Sequence, residues 1–206
     1  MITANQLRNY SLFSNLDEDE ISNLAPCFSK RMFAKGSYLF YPGSPGMSIY
    51  LVESGLIRLF FINTVGQEFM LDLAGPHSIL GLPIPCEDQT RIVGAAALQP
   101  STVLVLTYKD LDRFLQQYPH FAHNVHAFIH TVFRRLMIHV RSLATISLNG
   151  RLATMLLYMN QTHGGDAQDE LELPLSQAEI ATWIGCSRGG VEPYLEPFAA
   201  AWTDPH

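Results

Sequence analysis

Residues 175–191 read LSQAEIATWIGCSRGGV, and this stretch decides the fold of the C-terminal part of the chain. Ser176 is a typical helix N-cap, and Glu179, three positions later, can complete a capping box with it. Apolar side chains then follow at helical spacing, namely Ile180, Trp183 and Ile184. The pattern predicts a short amphipathic helix that begins after Ser176.

A second helix is predicted to follow the first after a tight turn. Gly185 can adopt the left-handed conformation that ends a helix, and Ser187 can cap the next one. This arrangement is typical of a helix-turn-helix that reads the major groove of DNA, with an ordinary helical hairpin as the alternative. Gln177 and Ser187 would position phosphates, and Arg188 would reach a base edge, most simply that of guanine. The full set of expected DNA contacts is Ser176, Gln177, Ser187, Arg188 and Gly189.

The sequence after Val191 departs from this pattern. Pro193 and Pro197 lie where the second helix should run, and an interior proline costs about 3 kcal/mol in a helix. Residues 148–206 contain two basic and eight acidic residues, whereas a surface that docks on phosphates should be basic. The sequence reaches His206 without the β-hairpin wing that usually follows. We therefore predict an incomplete winged helix-turn-helix with impaired DNA binding.

The composition is that of a folded protein. Of the 206 residues, 48% are hydrophobic and 16% are charged, which suffices for substantial cores. We find no apolar run near the length of a membrane span, about 18 residues, and no signal-peptide pattern. The cysteines Cys27, Cys86 and Cys186 are too scattered for a disulfide framework or a metal site. A cytoplasmic protein without a membrane partner is expected.

The first half of the chain has the pattern of a small antiparallel β domain. Two short helices are predicted within residues 3–29. From Arg31 to Leu106, short apolar runs alternate with glycine-containing turns, without intervening helices. The predicted strands are Tyr38–Tyr41, Ser48–Val52, Leu56–Ile62, Glu68–Leu73 and Thr102–Tyr108. A small β-sandwich or barrel followed by helices makes this an α+β protein.

A long helix is predicted from Pro119 to about Ala144, after a short one at Lys109–Gln117. Such a helix after a β domain is typical of a dimer coiled coil when it carries a continuous apolar seam, and packing on its own domain is the alternative. Another amphipathic helix is predicted at Leu148–Met159. The seam residues recur at steps of three and four: Val125, Ile129, Val132, Leu136, Val140 and Leu143.

In this order, the parts of the chain resemble the Crp/Fnr family of bacterial transcription regulators. The resemblance rests on FAKGSYLFYPG, SIYLVESGLIRLF, the Gly75–Leu82 turn, the long helix and LSQAEIATWIGCSRGGV. It implies a cyclic-nucleotide-binding-type β-roll at 1–108, a dimerisation helix region at 109–146 and a truncated helix-turn-helix domain at 147–206. It also implies a homodimer that binds double-stranded DNA, responds to a small-molecule effector and contacts RNA polymerase.

The family also suggests a reason for the unusual C-terminal residues. Its members usually carry an arginine shortly after the valine that matches Val191, and a Gly-Leu pair further on. Codons can be chosen for Glu192–His206 that give these residues at the family's offsets when they are read one nucleotide later. We therefore hypothesise that the chain is truncated or frameshifted after Val191.

Four residues are candidates for the effector site: Gly81, Leu82, Arg91 and Ile92. In cyclic-nucleotide binders, a helix N-terminus and an arginine hold the phosphate, while a glutamate accepts from the ribose. The resemblance implies that Gly81 and Arg91 match this pattern. Leu82, however, stands at the glutamate position, and Ile92 and Val93 replace the small, hydroxyl-containing pair that follows the arginine. Cyclic AMP and cyclic GMP are therefore not expected. A hydrophobic or aromatic acid that pairs with Arg91 is the favoured ligand, and a structural ion pair is the alternative role of Arg91.

Five histidines lie along the predicted long helix: His120, His123, His126, His130 and His139. Neutral imidazole is a common metal ligand, and haem-sensing members of the family exist, so haem is one candidate cofactor. His123 and His130 are one heptad apart, about 10 Å along the axis, which is too far for one ion within a chain. Solvated or partner-facing histidines are the alternative. An iron–sulfur cluster is not expected, because Cys27 and Cys86 cannot supply four thiolates.

An enzyme is the rival class of protein. A cupin-like active site needs several histidines and a carboxylate inside the barrel, but residues 1–108 contain a single histidine, His77. We recognise no nucleophile–base arrangement or phosphate loop in the sequence, and therefore expect no enzyme. The alternative to a DNA-binding regulator is a DNA-free dimeric sensor of a small molecule or of haem.

Overall fold

The computed structural model describes residues 2–82, 90–163 and 175–186. Two short helices open the chain, as predicted, and both begin with a capping box. None of the helices in these ranges is long and apolar enough to cross a bilayer. The helices are α1 (Ala4–Leu7), α2 (Glu18–Leu24), α3 (Tyr108–Gln117), α4 (Pro119–Thr145), α5 (Leu148–His163) and α6 (Gln177–Trp183).

Between α2 and α3, the chain forms two four-stranded antiparallel sheets within the described residues. Their strand orders are β1-β8-β3-β6 and β2-β7-β4-β5, so the chain crosses repeatedly between the sheets. The prediction of an α+β protein with an antiparallel β-roll is confirmed. The strands are β1 (Ser29–Phe33), β2 (Tyr38–Phe40), β3 (Ser48–Ser54), β4 (Ile57–Ile62), β5 (Glu68–Ala74), β6 (Ile79–Leu80), β7 (Gly94–Ala97) and β8 (Ser101–Thr107).

Strands β1, β6 and β7 were not predicted. The sequence of β7, GAAA, carries none of the branched or aromatic residues that favour strands. Packing against the neighbouring strand explains why position 94 of this strand is a glycine. A Cβ atom added to Gly94 would lie 2.3 Å from Cζ of Phe60, a fully buried residue of the neighbouring strand β4. The ring of Phe60 therefore occupies the space that a side chain at position 94 would need.

The roll has one core between its sheets and a second core under its helices. The inner core contains Phe40, Val52, Ile57, Leu80 and Val103. The second core packs α1, α2, α3 and the start of α4 against β3 and β8. Its largest fully buried side chains include Phe13, Phe114 and Phe121. These contacts join the start of the long helix firmly to the roll.

Helix α4 begins at Pro119, as predicted, and the apolar residues near its start are buried, whereas those further along are exposed. Phe121 and Val125 are buried in the chain's own core. The prediction that Val125 belongs to the apolar seam is therefore wrong, because its side chain packs on the roll. Further along, a different apolar row is exposed at steps of four, three, four and three: Ile129, Phe133, Leu136, Val140 and Leu143. Phe133 takes the place in this row that the sequence pattern gave to the half-buried Val132.

Candidate functional site

Arg91 and Gly81, two of the predicted effector-site residues, are in direct contact. The Arg91 Nη1 atom donates a hydrogen bond to the Gly81 carbonyl oxygen at 3.2 Å, and Nη2 donates to the Ser48 carbonyl oxygen at 2.5 Å. The backbone of Arg91 is also held, because its N–H donates to the Ser44 carbonyl oxygen at 2.9 Å. The arginine thus ties the chain near Gly81 to the start of β3.

The guanidinium of Arg91 lies in an aromatic and largely buried environment. It sits over the ring of Phe40, 4.0 Å from the centroid, and 5.5 Å from that of Tyr50. Burial lowers the pKa of Arg91, and the nearby Tyr50 opposes this effect. The Arg91 Nε atom is buried and has no hydrogen-bond partner among the residues that the structure describes. At the predicted effector site, this atom is therefore a donor without a partner within the described ranges.

Gly81 is constrained by its conformation and by the arginine beside it. Its φ angle is 72°, and an added Cβ atom would lie 2.6 Å from Arg91 Nη1. The other two predicted residues diverge from this pair. Leu82 packs against the core under the helices, whereas the Ile92 side chain is 79% exposed. The structure therefore brings Gly81 and Arg91 together and separates Leu82 and Ile92 from them.

Within the described residues, Arg91 and Leu82 depart from the pattern that holds a cyclic nucleotide. Two nitrogens of Arg91 already bind backbone carbonyl oxygens, and Leu82 offers no acceptor for a ribose hydroxyl. A site with an arginine over aromatic rings and one free buried donor suits a smaller acceptor group better. The segment between Leu82 and Thr90 lies outside the described residues.

Helix α6 begins as the sequence predicts. The Glu179 backbone N–H donates to the Ser176 hydroxyl at 3.3 Å, and the Ser176 N–H donates to the Glu179 carboxylate at 2.8 Å. Ile180 and Trp183 are buried, and Gly185 follows the helix with a φ angle of 73°. Among the predicted DNA contacts, the Ser176 side chain is thus engaged in the capping box, and Gln177 begins the helix half-buried. Ser187, Arg188 and Gly189 lie outside the described residues.

Helices α5 and α6 pack directly on strand β5 of the roll. A third apolar core joins the two parts of the chain through Leu56, Met70 and Leu73 on the roll, and Met155 and Ile180 on the helices. All five of these side chains are buried. Helix α5 and the first helix of the predicted helix-turn-helix, α6, are therefore held against the roll by a continuous apolar contact.

Two polar contacts reinforce this packing at the edge of the sheet. Strand β5 is an edge strand, and the Met70 backbone N–H donates to the Thr182 hydroxyl at 3.3 Å. Arg58 on β4 binds Glu68 at 2.6 Å and reaches Glu179 of α6 at 3.7 Å. Helix α6 thus covers part of an edge that would otherwise present an unpaired backbone donor.

Asp72, also on β5, is the centre of a third polar contact. Its carboxylate accepts a hydrogen bond from Arg135 of α4 at 2.6 Å, and Arg135 also donates to the Tyr158 hydroxyl of α5 at 2.6 Å. Burial raises the pKa of Asp72, and Arg135 opposes this rise. The pKa of His139, one turn further along α4, is lowered by burial, which outweighs the attraction of Asp72. Roll, long helix and helix-turn-helix segment therefore meet at Arg135.

Sequence reasoning did not identify Asp72, Arg135 or Tyr158 as functional candidates. The three residues lie on different elements, and the first two are 63 positions apart. No local spacing rule links a strand carboxylate to an arginine on a distant helix. Glu179 was recognised as a capping residue, but its second contact with Arg58 depends on the fold.

Comparisons with known proteins agree with this architecture. The cyclic nucleotide-binding domain family matches residues 30–118. The chain is 29% identical to the cyclic AMP receptor protein of Thermus thermophilus, over 94% of this chain and 87% of that protein. It is 25% identical to the anaerobic regulatory protein of Bacillus subtilis, over 87% of this chain and 79% of the relative.

A solved structure shows the same fold over most of the chain. The global regulator CLP of Xanthomonas campestris, described as responsive to c-di-GMP, superimposes with a TM-score of 0.76 at 19% identity. The match covers 90% of this chain and 93% of CLP. The β-roll, the long helix and the helix-turn-helix segment packed on the roll define a ligand-responsive transcription regulator. By sequence and by fold, the chain is similar over most of its length to transcription regulators of the Crp/Fnr type.

Proposed function

We propose that this Crp/Fnr regulator acts in the cytoplasm as a homodimer that forms along α4. The observation that supports the dimer is the exposed apolar row of this helix, which follows a heptad repeat. Phe133 is 60% exposed and Val140 is 58% exposed, although both are large apolar side chains. Two copies of α4 packed in parallel would remove this row from water, as in a two-stranded coiled coil.

The effector site is the pair Arg91 and Gly81, within a sensor domain at residues 1–108. The buried Nε atom of Arg91 supports this assignment, because an unpaired buried donor is costly and a ligand acceptor would satisfy it. A small hydrophobic or aromatic acid has the required chemistry, since its carboxylate can accept from Arg91 while its apolar part contacts the neighbouring rings. Cyclic AMP and cyclic GMP are not proposed.

Effector binding and DNA binding are coupled through the contacts of β5 with the helix-turn-helix segment. This is the observation on which the proposed function chiefly rests: Met70, Asp72 and Leu73 all lie on one roll strand and all contact the segment or the residues that hold it. The proposed dimerisation region is residues 109–146, which include α4. A ligand that shifts the roll relative to α4 would change these contacts and reorient residues 147–206. The dimer would present Gln177, Ser187 and Arg188 to DNA and would contact RNA polymerase.

The test is a selection for bound duplexes from a random-sequence DNA library, with the full chain as bait. Because residues 148–206 are acidic and prolines interrupt the predicted second helix, we expect impaired binding: weak enrichment of a two-fold symmetric sequence at low salt, which is lost steeply as salt is added. Arg188→Ala should relax the preference at one base pair, by about 1–3 kcal/mol, and Arg134→Ala, on the exposed side of α4, should leave it unchanged. No enrichment, even at low salt, would favour a DNA-free dimeric sensor, in accordance with the acidic character of residues 148–206.

A further inference from the structure

An open groove on the exposed side of α4 is lined by two histidines and two apolar side chains: His126, Ile129, His130 and Phe133. Both histidines are exposed to solvent. His126 precedes Ile129 by three positions and Phe133 by seven, so it continues the exposed apolar row toward the start of the helix. His130 lies one helical turn after His126, beside this row.

The spacing of the two histidines is that of a helical metal clamp. Residues four apart on an α-helix are separated by about 6 Å along the axis and by only about 40° around it. Their side chains therefore lie on one face, and two imidazoles placed in this way are the pair that holds zinc in helical metal sites. Because α4 is a continuous helix from Pro119 to Thr145, this geometry is fixed by the backbone.

The groove singles out this pair among the histidines of the helix. His123 precedes His126 by three positions but does not line the groove, and it is a full heptad from His130. His139 lies on the side of α4 that faces Asp72 of the roll. His120 lies in the first turn, far from the groove. Only His126 and His130 thus share one open surface among the residues lining the groove.

We propose that His126 and His130 bind one divalent transition-metal ion of the zinc class in each protomer. Nitrogen ligands of this type suit zinc, nickel and copper, and not magnesium or calcium. No group of three or more His, Cys, Asp or Glu side chains within the described ranges is arranged to hold a metal. Helix α4 therefore supplies two ligands, and water or a small exogenous ligand takes the remaining coordination positions.

This site differs from a haem site in its geometry. Axial ligands of one haem iron approach from opposite faces of the porphyrin, whereas His126 and His130 project from one face of one helix. The pair cannot provide both axial ligands within a chain. The ion would instead lie at the roll end of the exposed apolar row, where the partner's α4 would approach it in the proposed dimer.

The experiment is equilibrium dialysis of the full chain against zinc chloride, after removal of prior metal with a chelator. The variants are His126→Ala and His130→Ala, and the matched controls are His120→Ala and His123→Ala on the same helix. All four histidines are exposed, so the substitutions should not affect folding, and thermal melting of each variant checks this.

We expect one zinc ion per protomer for the unaltered chain and for both controls. Loss of either clamp histidine should weaken binding about 100-fold or more, because the second imidazole then no longer binds intramolecularly. The proposal is overturned if no saturable binding is found, if His126→Ala or His130→Ala binds normally, or if His123→Ala weakens binding as much as they do.

Discussion

Arg135 of the long helix and Asp72 of strand β5 form an ion pair at 2.6 Å, and the same arginine nitrogen donates to Tyr158 of α5. Tyr158 in turn contacts Trp183 of α6 edge-on, with ring centroids 6.2 Å apart. Arg135 thus connects the sensor roll with α5 directly and with α6 through Tyr158. This connection gives the proposed coupling a physical route, since a movement of either Asp72 or α4 changes what Arg135 can bind.

Removal of the arginine should loosen this junction. We expect Arg135→Ala to lower the free energy of unfolding by about 1 kcal/mol, because the side chains of both partners are partly exposed to solvent. In a chain of this length that corresponds to a melting temperature lower by about 2–4 °C. Arg134→Ala, at the exposed neighbouring position, is the control. Equal melting of the two variants would show that the Asp72 contact does not contribute.

The raised pKa of Asp72 predicts how this junction depends on pH. Because the carboxyl binds its proton more tightly in the folded state than in the unfolded state, its contribution to stability is present at low pH and is lost as pH rises through the folded pKa. We therefore compare the free energy of unfolding of the unaltered chain with that of Asp72→Asn. The difference between them should decrease as the pH rises from 3.8, the ordinary pKa of the carboxyl, to the raised pKa of Asp72. Denaturant titrations of both proteins across this range measure the difference. If this difference instead increased with pH, Arg135 rather than burial would have the larger effect on the pKa of Asp72.

Alanine substitutions at two glycines with positive φ distinguish the cost of backbone strain from the cost of side-chain crowding. Gly81 has a φ of 72° and the Arg91 guanidinium beside it, whereas Gly66 has a φ of 81° and nothing within 4 Å of an added Cβ atom. Gly66→Ala should cost only the backbone strain, about 1 kcal/mol. Gly81→Ala should cost about 1–3 kcal/mol more, because the alanine displaces Arg91 from the carbonyl oxygens it binds. Chemical denaturation of both variants tests this, and equal costs would contradict the assigned role of Arg91.

The exposed apolar row predicts the oligomeric state. Phe133→Glu places a charge in the middle of the row and should convert the dimer to a monomer at micromolar concentration. Ile138→Glu is the matched control, because Ile138 is an apolar residue of the same helix that is 46% exposed and lies outside the row. Light scattering coupled to size-exclusion chromatography gives the masses. A dimeric Phe133→Glu variant would place the interface elsewhere.

Much of the fold could be predicted because local signals were strong. The capping box of Ser176 with Glu179 and the glycine after α6 are local patterns, and the structure has both. The first-turn proline of α4 and most strands were found in the same way. Strand β7 was not found, because its small residues serve the packing of Phe60 and carry no strand signal of their own.

The candidate site could be predicted only in part. The proximity of Gly81 and Arg91 followed from the family resemblance, but the carbonyl oxygens that Arg91 binds could not be inferred from residue types. The apolar seam was placed on the correct helix with Val125 wrongly included, since spacing alone does not tell which side of a helix meets its own domain. Contacts such as that of Asp72 with Arg135 join distant parts of the chain and require the fold.

The proposed coupling depends on the contact of α6 with strand β5, which the amide exchange rate of Met70 measures. The Met70 N–H of edge strand β5 donates to the Thr182 hydroxyl of α6. Thr182→Val removes this acceptor with little change in volume, and Thr154→Val is the control, because its hydroxyl bonds within α5. We predict that the Met70 amide exchanges about fivefold faster in Thr182→Val, the equivalent of about 1 kcal/mol, and at the original rate in the control. An unchanged rate in Thr182→Val would mean that α6 does not cover β5 in solution.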